Sequence, residues 1–341
     1  MTNRNHKLFL LTLALLFSTL ACQTATRLIF PDTPTPPDPR PTAVQPLPEP
    51  TRVTETLSSC PVLLSDIMTA ATSIGSDAEA QEEQYLVTYT VNGNQISNPH
   101  YERVPADLKD EQQDRAAHEF VWNYFTSIIP VDERKFLTEY SITTDGMDNT
   151  LAAVVQTYDD PNHWSLEVDI LDITDTYNLT FTLVHEFGHL LTLNAEQVPP
   201  SLRVFNNPDD EDIYWEEVDT CLEYFPGEGC STSTSYINAF YDRFWADIYT
   251  EWDEVNYETD DDAYYEALDN FYYKYEDQFI TDYAVTNPEE DIAESWSFFV
   301  LSPKPRGDMI AEQKVLFFYE YPELVQLRDE ILNGVCSSFP Q

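Results

Sequence analysis

The sequence predicts an α+β fold in which a small mixed sheet packs on one long helix and a mainly helical second part follows. Two kinds of pattern carry that expectation. Between Tyr85 and Ile170, short runs of alternating apolar and polar residues recur, separated by turn residues. Beyond them, apolar residues return at helical spacing, first over Tyr177–Asn194 and then through a long acidic and aromatic stretch. The 341 residues hold ample apolar content for a core, in one large domain or two small ones.

Residues 1–21 stand apart from that core. Arg4, His6 and Lys7 form a basic start, Leu8 to Leu20 is an apolar run too short for a spanning helix, and Leu20-Ala21-Cys22 follows. This is the layout of a secretory signal peptide, and it resembles a bacterial lipoprotein signal, in which Cys22 becomes the lipidated first residue and anchors the chain to a membrane. A conventional signal cut near Ala21 leaves Cys22 free; export is expected either way. Residues 22–58 are rich in Pro and Thr and poor in large hydrophobes, as in an extended stalk. The folded domain is expected over 59–341.

Within it, Tyr85–Val91 alternates and ends at Asn92-Gly93-Asn94, a strand and a turn. Asp110 to Ile129 reads as one helix, with Ala117, Phe120, Val121, Tyr124, Phe125 and Ile128 at helical spacing and Pro130 as its stop. Phe136–Thr143, Leu151–Thr157 and Trp164–Ile170 read as three strands separated by Asp145-Gly146 and Asp159-Asp160-Pro161-Asn162. In the helix over Tyr177–Asn194, Leu183, Phe187 and Leu190 fall on one side and His185, Glu186 and His189 on the other. One face is thus expected on the sheet and the other along a cleft. Helical periodicity continues over Ser235–Trp252 and Asp262–Phe279. Asn287 as N-cap and Pro288 as first residue then start a further helix.

Composition narrows the partners. The formal charge is −44, and removing the first 21 residues, which carry Arg4 and Lys7 but no acid, makes it two units more negative. Nucleic acid and anionic head groups are disfavoured. The acidity concentrates in Asp209–Glu217 and Glu251–Asp262, within a stretch of about 206–278. A solvated surface explains it most simply; calcium sites, or a cleft that selects cationic substrates, are the specific alternatives. No EF-hand spacing surrounds Asp260-Asp261-Asp262. Beyond Cys22, four cysteines remain, an even number that suits an oxidising compartment. Of three connectivities, Cys221–Cys230 closes a short loop around Pro226-Gly227-Glu228-Gly229, and Cys60–Cys336 ties the domain ends together. No C-x-x-C pair points to a zinc knuckle.

His185-Glu186-Phe187-Gly188-His189 carries the chemistry. Histidines at i and i+4 on one helix face can hold a single Zn²⁺, and the glutamate between them can act as general base toward a water. A catalytic zinc needs a third protein ligand and an open position. His118 and His163 read as ordinary helix and loop residues, and no H-x-x-G-x-x-H continuation follows. Glu290 and Glu294, i and i+4 on the helix after Asn287, offer a carboxylate ligand and a partner for a ligand histidine. Acids in a first helical turn also serve simply as dipole complements.

His-Glu-Phe-Gly-His followed by Tyr283, Thr286-Asn287, Glu290 and Ala293-Glu294 resembles the gluzincin metallopeptidases, and among them the catalytic domain of anthrax lethal factor. The tail from Ile310 through Tyr321-Pro322 to Ile331 is similar in its helix–proline–helix layout. The resemblance implies a zincin-like fold, Glu290 as third zinc ligand, Glu294 behind a ligand histidine, and Tyr283 as hydrogen-bond donor to the oxyanion. It also implies hydrolysis of a peptide or protein substrate. About a hundred residues separate His189 from Glu290, more than that pattern has, so 206–278 reads as an acidic, disulfide-bearing insertion. The competing expectation is a surface-anchored binding or adhesion module whose zinc site is structural or vestigial.

Overall fold

The computed structural model describes residues 61–71, 82–147, 150–255 and 261–340. The expected signal segment, the stalk, Cys22 and Cys60 lie outside the described residues. The architecture is α+β. Five strands, β1 (Gln84–Asn92), β2 (Gln95–Tyr101), β3 (Leu137–Thr144), β4 (Ala152–Gln156) and β5 (Trp164–Asp169), form one sheet in the order β2-β1-β3-β5-β4. It is mixed: β3 and β5 run parallel and the other neighbours antiparallel. No alternation marks β2, which carries Pro99 and has only one partner, and that strand went unexpected. Proline is tolerated there because an edge strand leaves one row of N–H groups unused.

Helices α1 (Pro61–Ala71), α2 (Lys109–Gln113) and α3 (Arg115–Ile128) precede β3 in the chain. The single helix expected over Asp110–Ile129 is broken. Asp114 takes a non-helical conformation and its side chain accepts the Ala117 N–H at 3.0 Å, so one residue ends α2 and caps α3. His118, read from the sequence as an ordinary helix residue, is fully buried on α3. Its Nε2 donates to the Glu111 carbonyl and its Nδ1 accepts from the Tyr89 hydroxyl, each at 2.9 Å. Burial lowers its pKa, consistent with a neutral core histidine.

The long helix α4 (Thr176–Leu193) starts at Asp175, whose carboxylate accepts the Tyr177 and Asn178 N–H groups. It packs on β4, α1 and a later helix, and it is buried nearly all round. The polar face expected along a cleft is covered: His185, Glu186 and His189 are each 9% exposed or less. The rest of the chain is helical: α5 (Leu202–Asn206), α6 (Glu211–Thr220), α7 (Tyr236–Phe244), α8 (Tyr249–Val255), α9 (Asp261–Lys274), α10 (Pro288–Leu301), α11 (Ile310–Phe317) and α12 (Pro322–Ser338). Helical periodicity over Ser235–Trp252 resolves into two helices that break at Trp245–Ile248. Ile237, Phe240, Trp245, Trp252 and Phe271 from this acidic region join the common core, so the region is built into the scaffold. Cys221 and Cys230 are bonded, as expected. Cys336 is also disulfide-bonded; its expected partner Cys60 is not among the described residues. No described helix is long and apolar enough to cross a membrane.

Acids are buried within the sheet half too. Glu167 on β5 is 6% exposed and accepts the Tyr85 hydroxyl at 2.6 Å. Burial first, then the charge of Glu83, pushes its carboxyl upward toward neutrality; burial and Asp145 do the same to Glu83. A carboxyl that holds its proton more tightly when folded favours the folded state at low pH. Stability is therefore lost as pH rises from about 5 through neutrality. Replacing Glu167 with Gln should flatten the fall in melting temperature between pH 5.5 and 8.5; an unchanged slope would refute the assignment.

Candidate metal centre

The site forms where α4 meets α10. Asn287 caps α10, accepting the Glu290 N–H at 2.7 Å, and Pro288 occupies the first turn without an N–H to satisfy. That fixes where Glu290 leaves the helix. Its Oε2 lies 3.0 Å from His185 Nε2 and 3.3 Å from His189 Nε2, and the two imidazole nitrogens are 3.1 Å apart. One ligand atom from each of the three residues lies within 4.8 Å of the others. Zinc bonds of about 2.0–2.1 Å at tetrahedral angles separate ligand atoms by roughly 3.3 Å, so two imidazoles and one carboxylate at this spacing fit that ion. Only 7–14% of the three side chains is exposed.

The close helix approach has a local cause. Gly188 faces α10, and a Cβ there would lie 3.0 Å from Trp296 Cδ1 and 3.2 Å from Ala293 Cα. Both neighbours are fully buried. Ahead of that contact, Asp291 accepts from the Trp245 indole at 2.7 Å and pairs with Lys314, with both members of the ion pair fully buried. Burial pushes Asp291 up to about 6 against the pull of Lys314, and burial likewise lowers Lys314. The pair thus holds the first turn of α10 at appreciable desolvation cost.

Around the triad the remaining expected residues take distinct positions. Glu294 Oε1 lies 3.0 Å from His185 Nδ1, close but not aligned for a hydrogen bond, and its Oε2 accepts the Thr281 hydroxyl at 2.8 Å. Glu186 Oε2 accepts the backbone N–H of Val154 on β4 at 2.9 Å. Tyr283 is 52% exposed, and its ring centroid is 6.1 Å from that of His185. His163 pairs with Asp160 in a turn and is not one of the three clustered residues.

Electrostatics follows the geometry. Burial opposes ionisation of Glu290, but His189 and His185 override it and hold the carboxyl well below the usual range. Burial also opposes charging of His185, and the facing Glu290 and Glu294 carboxylates raise it strongly instead. Glu186 is shifted upward, chiefly by burial, in the direction a general base requires. The Glu290 charge, then burial, raises Tyr283, which keeps the phenol protonated as a donor.

Sequence reasoning missed Val154, Thr281, Asp291 and Lys314. Asp291 sits beside Glu290 and Thr281 two residues before Tyr283, but nothing local marks either as a partner. Comparison with protein-family models, curated proteins and solved structures finds no match for this chain.

Gly188→Ala tests the helix contact. Alanine gains about 1 kcal/mol in helix propensity, while overpacking costs typically about 1–3 kcal/mol. A net lowering of melting temperature is expected as the helices part. A variant that melts higher would remove Gly188 from that role.

Proposed function

We propose that this chain is an exported zinc-dependent endopeptidase of the gluzincin type with a zincin-like fold, lipid-anchored through Cys22. One observation carries the reading. Two histidines, a carboxylate from another helix and an intervening glutamate converge at one buried point beside an edge strand. The resemblance of His185–His189 and Tyr283–Glu294 to that family agrees with it, as does the basic and apolar N-terminus ending at Cys22.

His185, His189 and Glu290 would hold one Zn²⁺, which supplies Lewis acidity and makes water nucleophilic near neutral pH. Glu186 takes the proton from the attacking water and delivers it to the leaving amine. Its carboxylate is oriented by the Val154 N–H and shielded from bulk water, so the proton transfer runs along a fixed line. Tyr283 donates its phenolic hydrogen to the oxyanion that develops on the scissile carbonyl. Glu294, itself held by Thr281, steadies the His185 ring.

Substrate pairing follows from the sheet. β4 is an edge strand: Asp169 N–H donates to Leu151 C=O and Thr157 N–H to His163 C=O. Antiparallel alternation then turns the backbone groups of Ala152, Val154 and Gln156 away from β5. An extended peptide added along that edge would pair with the groups of Ala152 and Gln156 beside Glu186, which itself holds the Val154 N–H.

The purified protein should carry about one zinc per chain and cleave a diverse peptide library, and chelation should abolish cleavage. Glu186→Gln should keep the metal and lower turnover by roughly a hundredfold to ten-thousandfold. Absence of zinc, or full cleavage by that variant, would defeat the proposal. Tyr283→Phe should lower kcat by roughly a hundredfold or more with little change in KM. A change confined to KM would instead make Tyr283 a binding contact.

A further inference from the structure

The chain enters α10 through a short 3₁₀ turn, Tyr283–Val285, which brings Tyr283 beside His185. Ala284 and Val285 are buried, whereas the tyrosine is half exposed. The backbone of the turn, more than side-chain packing, therefore sets where its phenol goes. At the far end, Thr286 donates its N–H at 3.1 Å and its hydroxyl at 2.8 Å to the Tyr283 carbonyl. The Trp252 indole donates to the Val285 carbonyl at 2.9 Å. At the near end, Asp282 precedes the turn without a side-chain cap. Thr281 supplies the cap from one residue further back: its hydroxyl oxygen accepts the Ala284 N–H at 3.2 Å.

The same hydroxyl makes a second bond. It donates to Glu294 Oε2 at 2.8 Å. A hydroxyl has one hydrogen and two lone pairs, and a backbone N–H can only donate. A lone pair of Thr281 Oγ1 thus serves Ala284, and its one hydrogen is committed to Glu294. Glu294 is 4% exposed, and its other oxygen faces His185 Nδ1 at 3.0 Å. The Tyr283 ring lies 6.1 Å from that of His185. Thr281, Glu294, His185 and Tyr283 form a closed circuit. In it, one hydroxyl joins the turn that carries the tyrosine to the carboxylate behind the histidine.

We infer that Thr281 is a positioning residue for both halves of the site, setting the Glu294 carboxylate behind His185 and the turn beneath Tyr283 with a single hydroxyl, an inference that rests on the peptidase reading above. Its removal has two separable consequences. The His185 ring loses a fixed partner, which weakens metal binding. The Tyr283 turn loosens, which weakens the transition state more than the bound substrate.

The test uses the full chain with Thr281→Val, which keeps the branched shape without the hydroxyl, and Thr281→Ser, which keeps the hydroxyl. Zinc affinity is read by competition with a chromogenic chelator, with no substrate present. Thr281→Val should weaken it by roughly tenfold or more, and Thr281→Ser should recover most of the loss. At saturating zinc, Thr281→Val should lower kcat by roughly tenfold to a hundredfold with little change in KM. In a Tyr283→Phe background the same substitution should lower kcat far less, and in a Glu294→Ala background it should weaken zinc binding far less. Each background has already lost the group that Thr281 serves. Thr286→Val removes a hydroxyl that bonds to the Tyr283 carbonyl at the other end of the turn, and should keep zinc affinity near native. Melting temperature reports folding, and Thr281→Ala replaces Thr281→Val in every comparison should valine not fold. Equal zinc loss in Thr286→Val would reduce Thr281 to general support of the turn and overturn the inference, as would full additivity in the double variants. Cleavage and zinc affinity both unchanged in Thr281→Val overturn it too, and leave the peptidase reading standing. Zinc affinity lost with valine and recovered with serine, but no cleavage even by the native chain, overturns the peptidase reading and upholds the Glu294 half. A native chain that binds no zinc overturns both.

Discussion

The contact of α4 with α10 at Gly188 is the constraint on which the rest of the molecule depends. His185 and His189 belong to one helix, and Glu290 belongs to another that starts about a hundred residues later. Their donors meet only because the helix surfaces touch without an intervening side chain. Everything else at this end of the molecule holds that crossing in place. Asn287 sets the start of α10, the Asp291–Lys314 pair and the Trp245 indole fix its first turn, and Trp252 donates to the Val285 carbonyl just before it. The acidic region therefore packs as the outer support of α10, with its negative charge directed mostly to solvent.

The same crossing organises charge. A chain with 61 acids and 17 Lys and Arg must bury some carboxylates with few cations to neutralise them. Asp291 receives a lysine, Glu290 receives two imidazoles, and Glu167 receives only a phenol. These three arrangements rank in how strongly they keep the ionised form. Glu290 stays well below the ordinary range, whereas Asp291 rises to about 6 and Glu167 is driven up further. All three are largely withdrawn from water, so the neighbouring charges, including that of Glu83 beside Glu167, set the difference.

Much of this was legible in the sequence because it is local. The pentapeptide at α4, the Asn287-Pro288 start of α10, the short cysteine loop and four of the five strands each depend on residues within a few positions of one another. The long-range elements were not legible. Val154 reaches Glu186 through strand order, Lys314 reaches Asp291 across 23 residues, and Thr281 reaches Glu294 through the bend that precedes α10. Asp114 is an instructive local miss. Its apolar neighbours keep helical period across the break, and only its capping geometry divides α2 from α3. The helical wheel of α4 correctly separated apolar from polar residues, but it could not show that α10 and β4 cover the polar side.

The 105-residue separation between His185 and Glu290 bears on how the protein comes into being. A donor set spread this far along the chain does not exist in an unfolded polypeptide, and closing so long a loop comes late relative to local helix formation. If the chain crosses a membrane unfolded, as the proposed export requires, it makes the journey without an assembled metal site. If the proposed peptidase activity is present, it would then begin only after folding outside the cytoplasm, and the producing cell would be spared its action during synthesis without needing a separate inhibitor.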